Sequence, residues 1–405
     1  VTTADDLRVA PGEVGFSAER LARIDDFYRE RCERGETSGV VTLIARHGRI
    51  AHFGAVGDAD VASGRPVATD TLFRLFSMTK PIVATALMML YEEGRFQLGD
   101  PVGRHLPELA DLRVLRHPDA DLDDTVPAER PPTIQDLLRH TAGFTHCAED
   151  APFDRRARVA LEAESLADLV SRLAELPLRY QPGSAWVYSI APDVQARLVE
   201  VLSGMPFEEF LRTRLFEPLG MVDTGYGVSP DRVDRLAVYY GHQDGGLIPA
   251  ETWRDRPASV LFEPWVIHNP TASSPRINGS IGLVGTAEDY WRFCQMLVNG
   301  GELDGVRILS PRTIAYMTRD HSADYDITLP WRGVGFGLGF GTIVDPTALG
   351  IIDSVGTYFF QGMAGTVFWI DPSEDLVVVG MVQCNGPVSL WDTLRPLVAA
   401  ALVGP

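Results

Sequence analysis

Strand-like segments lie at the two ends of this chain and helical patterns fill the middle, which suggests one shared sheet built from both termini. Near the start, apolar runs at 40–45 and 50–56 flank His47-Gly48, a strand–turn–strand signal. Before them, Ser17 precedes Leu21, Ile24, Phe27 and Tyr28 at helical spacing, which predicts a helix over 17–34. Near the end, runs at 366–370 and 376–383 are joined by Asp371-Pro-Ser-Glu-Asp375, and a helix over 390–402 follows. Between the two regions, helical patterns cover 80–93, 134–138, 166–176, 194–203, 207–215 and 287–299. Proline- and arginine-rich connections at 119–132 and 244–275 separate them. The expected fold class is α+β: a sheet-bearing domain from residues 1–95 and 305–405, with a mainly α-helical domain, 96–304, inserted in it.

A length of 405 residues with 45% hydrophobic residues supports a large buried core, and a net charge of −19 disfavours a phosphate-backbone partner. The useful number is the single lysine: of 36 Lys and Arg residues, only Lys80 is a lysine. Arginine serves most surface roles but cannot lose its proton, so a lone lysine marks a position where a neutral amine has a use. The cysteines Cys32, Cys147, Cys294 and Cys384 are widely spaced, which reads as free thiols. His140 and His146 read as helix end and loop rather than a metal site, and no metal or cofactor is expected. No apolar run reaches membrane-spanning length. The acidic composition without a basic-then-apolar leader reads as cytoplasmic, with neither nucleic acid nor membrane as a partner.

Ser77 stands three residues before Lys80, at the start of an apolar helical stretch. If the helix begins there, both side chains share one face and Ser77 occupies its first turn, where free N–H groups favour a developing oxyanion. A serine hydroxyl needs a base to become a nucleophile. A lysine desolvated against 82–89 could supply one. The plainer alternative is a helix-capping serine and a solvated lysine.

Several blocks, in order, then resemble the class C β-lactamase-like serine hydrolases, a family that includes family VIII carboxylesterases, D-aminopeptidases and penicillin-binding-type enzymes. They are Phe73-Arg-Leu-Phe-Ser-Met-Thr-Lys-Pro81, Leu138-Arg-His-Thr-Ala-Gly143, Pro182-Gly-Ser-Ala-Trp-Val-Tyr-Ser189, Phe216-Glu-Pro-Leu-Gly-Met221, Gly282-Leu-Val-Gly-Thr-Ala287 and Gly337-Leu-Gly-Phe340. The resemblance covers about residues 15 to 385. It implies a β-lactamase/penicillin-binding-protein-like fold, an antiparallel sheet flanked by helices with an inserted α-helical lobe and the active site between lobes. It also implies that Ser77 is the acyl-accepting nucleophile, Lys80 its proton-transfer partner and Tyr188 the general base or leaving-group relay. The backbone N–H groups of Ser77 and Met363 would form the oxyanion hole.

Two departures guide the choice of substrate. Penicillin-recognising relatives carry a Lys-Thr-Gly-type triplet and family VIII esterases often Trp-Gly-Gly, whereas Phe360-Gln361-Gly362 stands there in this chain. The ammonium that would hold a β-lactam carboxylate is therefore missing. Ile190 occupies the place of an asparagine two residues after the tyrosine. No G-x-S-x-G occurs, which removes the α/β-hydrolase nucleophile elbow. Of the aromatics Phe144, Trp186, Trp331 and Phe360, Trp186 and Phe360 are the ones expected in the substrate pocket, with Gln361 and Gly362. The expected function is a cofactor-free serine carboxylesterase of family VIII type acting on small or short-chain esters. The alternatives are a D-amino-acid-type amidase or peptidase, a weak β-lactamase, an acyltransferase, or an inactive scaffold on the same fold.

Overall fold

A computed structural model describes residues 3–145, 163–252, 270–271, 277–325 and 332–404. Cys147, His146 and Trp331 lie outside the described residues.

The N-terminal helix α1 (Ala18–Glu33) begins where the spacing predicts, with Ser17 Oγ accepting the Arg20 N–H as a cap. Strands β1 (Val40–Arg46) and β2 (Arg49–Val56) follow as a hairpin. Its turn residues His47 and Gly48 both have positive φ, the conformation a tight hairpin of this hand requires. The C-terminal half supplies β3 (Val334–Phe336), β4 (Gly341–Ile343), β5 (Tyr358–Gln361), β6 (Val367–Asp371) and β7 (Leu376–Val382). One seven-stranded antiparallel sheet results, in the order β3-β4-β5-β6-β7-β1-β2. The seam between chain ends runs along β1 and β7, from Val40 opposite Val382 to Arg46 opposite Leu376.

Both faces of the sheet are covered, and the period of two along each central strand sorts side chains between them. Val40, Ile44, Trp369 and Val378 pack under α1 and the last helix, Leu390–Ala401. Val41, Leu43, Phe368, Val379 and Met381 face the larger core. Helix Ala287–Val298 belongs to that second face: it packs on β7 and β1, with the Tyr290 ring 5.0 Å from that of Phe368. It falls within the span expected for the helical lobe, yet its apolar residues are buried against the sheet. Arg46 ties the two ends of the chain together. Its guanidinium donates to the carbonyls of Val14, Gly404 and Glu374 and pairs with the Glu374 carboxylate.

The middle of the chain is helical, with Thr79–Glu92, Ile134–Leu138, Leu166–Ala174, Ala191–Ser203 and Phe207–Leu211. The pattern over 207–215 continues past Leu211 as a wider π-type turn, Arg212–Phe216. Two of the presumed connections carry short strands: Thr125–Pro127 pairs with Arg113–Leu115, and Tyr240–Gln243 with Gly246–Pro249. Among the described residues, no helix is long and apolar enough to cross a membrane.

Replacing Arg46 with alanine should cost about 3 kcal/mol, because three carbonyls and a carboxylate lose a charged donor in a buried setting. Urea unfolding would read this as a lower midpoint with an unchanged slope.

Candidate active site

Three parts of the fold converge on Ser77. The first is its own segment, a 3-10 turn at Phe76–Met78 that runs into helix Thr79–Glu92. The regular helix thus starts two residues after Ser77. Phe76 has φ +47, a left-handed backbone unusual for a bulky residue, and its buried ring packs 5.4 Å from Tyr239. The turn is pinned by Leu75 N–H donating to Leu283 O at 2.8 Å and by Tyr290 Oη donating to Met78 O at 2.9 Å.

Helix Thr79–Glu92 is apolar on every side, and all of its first twelve residues are buried. Lys80 is carried into this environment with 1% of its surface exposed. Its Nζ donates to Ser77 Oγ at 2.9 Å and to the Ser280 carbonyl at 2.8 Å. Burial, only partly opposed by the nearby Asp193 carboxylate, brings the Lys80 pKa down to about 7. Asp193 is itself pushed upward by burial; it accepts the N–H groups of Gly279 and Ser280 and the Ser280 hydroxyl.

The second part is the segment before helix Ala191–Ser203. Tyr188 shares a hydrogen bond with Ser77, and its ring centroid lies 4.9 Å from Lys80 Nζ. Desolvation raises its pKa above the ordinary tyrosine range, with the Ser77 bond opposing that shift. The neutral phenol is therefore the resting form.

The third part is the end of β5. Gly362 closes against the Ser77 turn so tightly that a Cβ there would meet Leu75 O at 2.6 Å and Thr366 Oγ1 at 2.1 Å. A cavity of about 330 Å³ opens here, lined by Tyr188, Phe336, Phe360, Gln361, Gly362 and Met363 among others. Its walls are mostly apolar, with aromatic rings from Tyr188, Phe336, Phe359 and Phe360. Gln361 Nε2 is buried and has no hydrogen-bond partner among the described residues.

Of the residues singled out from sequence, Ser77, Lys80 and Tyr188 come together, and Phe360, Gln361, Gly362 and Met363 line the cavity. Trp186 does not line it. Its fully buried ring stands behind the wall, 5.2 Å from Phe336 and 6.5 Å from Tyr188. Phe144 is likewise buried in the main core. Asp193, Ser280 and Phe336 are the neighbours that sequence reasoning missed. Asp193 reads locally as an acidic residue in a helix's first turn, and only the tertiary contact with Gly279-Ser280 shows it near Lys80.

A model of the Beta-lactamase family matches residues 24–403, and the chain belongs to that family. Within it, the chain is a β-lactamase-like serine hydrolase related to family VIII esterases. It is 33% identical to Esterase EstB of Burkholderia gladioli over 396 residues, covering 92% of this chain and 94% of the esterase. It is 34% identical to protein Rv1367c of Mycobacterium tuberculosis over 366 residues, 88% of each chain. The solved structure described as "EstCE1, a hydrolase with promiscuous acyltransferase activity" superposes with a TM-score of 0.77 at 26% identity, covering 96% of this chain and 98% of that one.

Because Gly362 leaves no room for a side chain, Gly362→Ala should push β5 away from the Ser77 turn. Labelling of Ser77 by a fluorophosphonate should slow at least about tenfold, while the melting temperature falls by only a few degrees, about 1 kcal/mol of stability.

Proposed function

We propose that this chain is a serine carboxylesterase of family VIII type that hydrolyses small or short-chain esters through an acyl-enzyme on Ser77. The observation that carries the reading is the buried Lys80 amine, donating to Ser77 Oγ at 2.9 Å with its pKa brought down to about 7. Near neutral pH, much of it is then the free base, able to take up a proton.

Ser77 Oγ attacks the ester carbonyl as its proton passes to Lys80, directly or through Tyr188. The tetrahedral oxyanion is held by the backbone N–H groups of Ser77 and Met363; one such donor is typically worth about 3–4 kcal/mol. Collapse expels the alcohol, which leaves with a proton relayed through Tyr188. A water molecule activated by the same groups then adds to the acyl-enzyme, and the acid is released with Ser77 restored.

The cavity supports the choice of substrate. Its volume of about 330 Å³ suits a compact group, and aromatic walls favour an uncharged one. No lysine other than Lys80 exists to hold a β-lactam carboxylate. The 33% identity to an esterase over nearly the whole chain points the same way. Acyl transfer is the second reading, favoured by the description of EstCE1: it uses the same acyl-enzyme with an alcohol or amine in place of water.

Hydrolysis of p-nitrophenyl esters of increasing chain length, beside a chromogenic cephalosporin, tests this reading. Acetate and butyrate esters should turn over well and the cephalosporin slowly or not at all. Ser77→Ala and Lys80→Arg should each lose at least about 1000-fold in kcat, since arginine keeps the charge but cannot accept the proton. Rapid cephalosporin opening would move the assignment to β-lactamase. Ester turnover that survives Ser77→Ala would refute the nucleophile.

The pH profile has a definite sign. The active form needs Lys80 unprotonated, and its folded pKa is lowered to about 7. Activity should fall about tenfold per unit below that value and level off above it.

A further inference from the structure

One residue holds Tyr188 from both sides. The N–H of Val187 donates to the His140 carbonyl at 3.0 Å. The N–H of Ser189 donates to His140 Nδ1 at 3.2 Å, and Ser189 Oγ lies 2.9 Å from the same nitrogen. Since a backbone N–H can only donate, Nδ1 is the acceptor and the neutral ring carries its proton on Nε2. The imidazole is buried, at 3% exposure, and packs against the Tyr188 ring with centroids 5.0 Å apart. On its other sides it meets Phe336, a wall of the cavity, at 5.2 Å and Trp186 at 5.9 Å.

His140 is itself held in an uncommon conformation. It follows helix Ile134–Leu138 with φ +59, in the left-handed region. The next residue, Thr141, anchors the turn: its hydroxyl donates to Asp136, which is also paired with Arg130 and Arg139. Further backbone bonds lace the two segments together, from Gly183 N–H to Thr141 O and from Ile190 N–H to Thr145 O. Strain kept by so many surrounding contacts points to a position with a task.

We propose that His140 is the positioning residue for Tyr188, an inference that rests on the role given to Tyr188 above. A tyrosine ring has two side-chain torsions, so its hydroxyl is placed by the backbone at 187–189 and by whatever packs on the ring. His140 sets both. Without it, the phenol loses its aim at Ser77 while the cavity that receives the ester keeps its other walls.

The conservative variant is His140→Asn: asparagine adopts the left-handed backbone readily and its Oδ1 can accept where Nδ1 does. His140→Leu keeps bulk but removes the acceptor. On p-nitrophenyl acetate, His140→Leu should lower the acylation rate and kcat by about 30- to 100-fold with KM changed less than about threefold, and His140→Asn should stay within about fivefold of wild type. In a Tyr188→Phe background, His140→Leu should add almost nothing further, because its effect passes through the phenol. Losses that multiply in the double variant would overturn the proposal. So would a folded His140→Leu with full kcat, or His140→Asn as impaired as His140→Leu. Full turnover by Tyr188→Phe alone would instead overturn the role of Tyr188, and the positioning role with it.

Discussion

The chemistry of this protein depends on one costly placement, an ammonium-bearing side chain pulled out of water. Lys80 sits in a helix buried on every side, and the charged form of an amine is poorly stabilised there. Asp193 would favour the charge, but it is equally buried and its oxygens are already engaged by Gly279 and Ser280. Desolvation wins, and the amine titrates near neutrality rather than as a surface lysine would. The amine is also tethered, to the Ser280 carbonyl on one side and the Ser77 hydroxyl on the other. In the proposed mechanism, this is the base that takes the Ser77 proton.

The rest of the molecule keeps that placement in register. The sheet joins the chain's two ends along β1 and β7, and the helix Ala287–Val298 packed on it reaches the Ser77 turn through Tyr290. From the same sheet, β5 carries Gly362 against Leu75 and forms one wall of the cavity. The helical middle supplies Tyr188, Asp193 and His140. Three separate stretches of chain thus meet at Ser77, each braced by packing beyond the site itself.

The amount of this that could be read from sequence follows from how local each signal is. The β1–β2 hairpin and the terminal helices are written in short-range periodicity and turn chemistry, and the structure has them within a residue or two. Ser77 and Lys80 were legible because they share one turn of chain and Lys80 is the only lysine. Direction of burial was not. Trp186 and Phe360 look alike as aromatics, yet only Phe360 faces the cavity. The helix at 287–298 showed the right period but not that its partner would be the sheet. Asp193 and Ser280 are 87 residues apart, and no local pattern announces such a contact. Locally, His140 is only the residue just past a helix end; its hold on the Tyr188 segment emerges only when the two segments are laid side by side.

The central claim concerns the protonation of one side chain, and the composition makes that side chain directly observable. Protein grown on ε-¹³C-lysine has a single labelled residue, Lys80, so its carbon resonance can be followed by NMR across pH without assignment. The account predicts a titration midpoint near pH 7 in the folded enzyme. A midpoint near the ordinary lysine value of about 10.4 would contradict it, because Lys80 would then be charged at neutral pH and unable to take the serine proton.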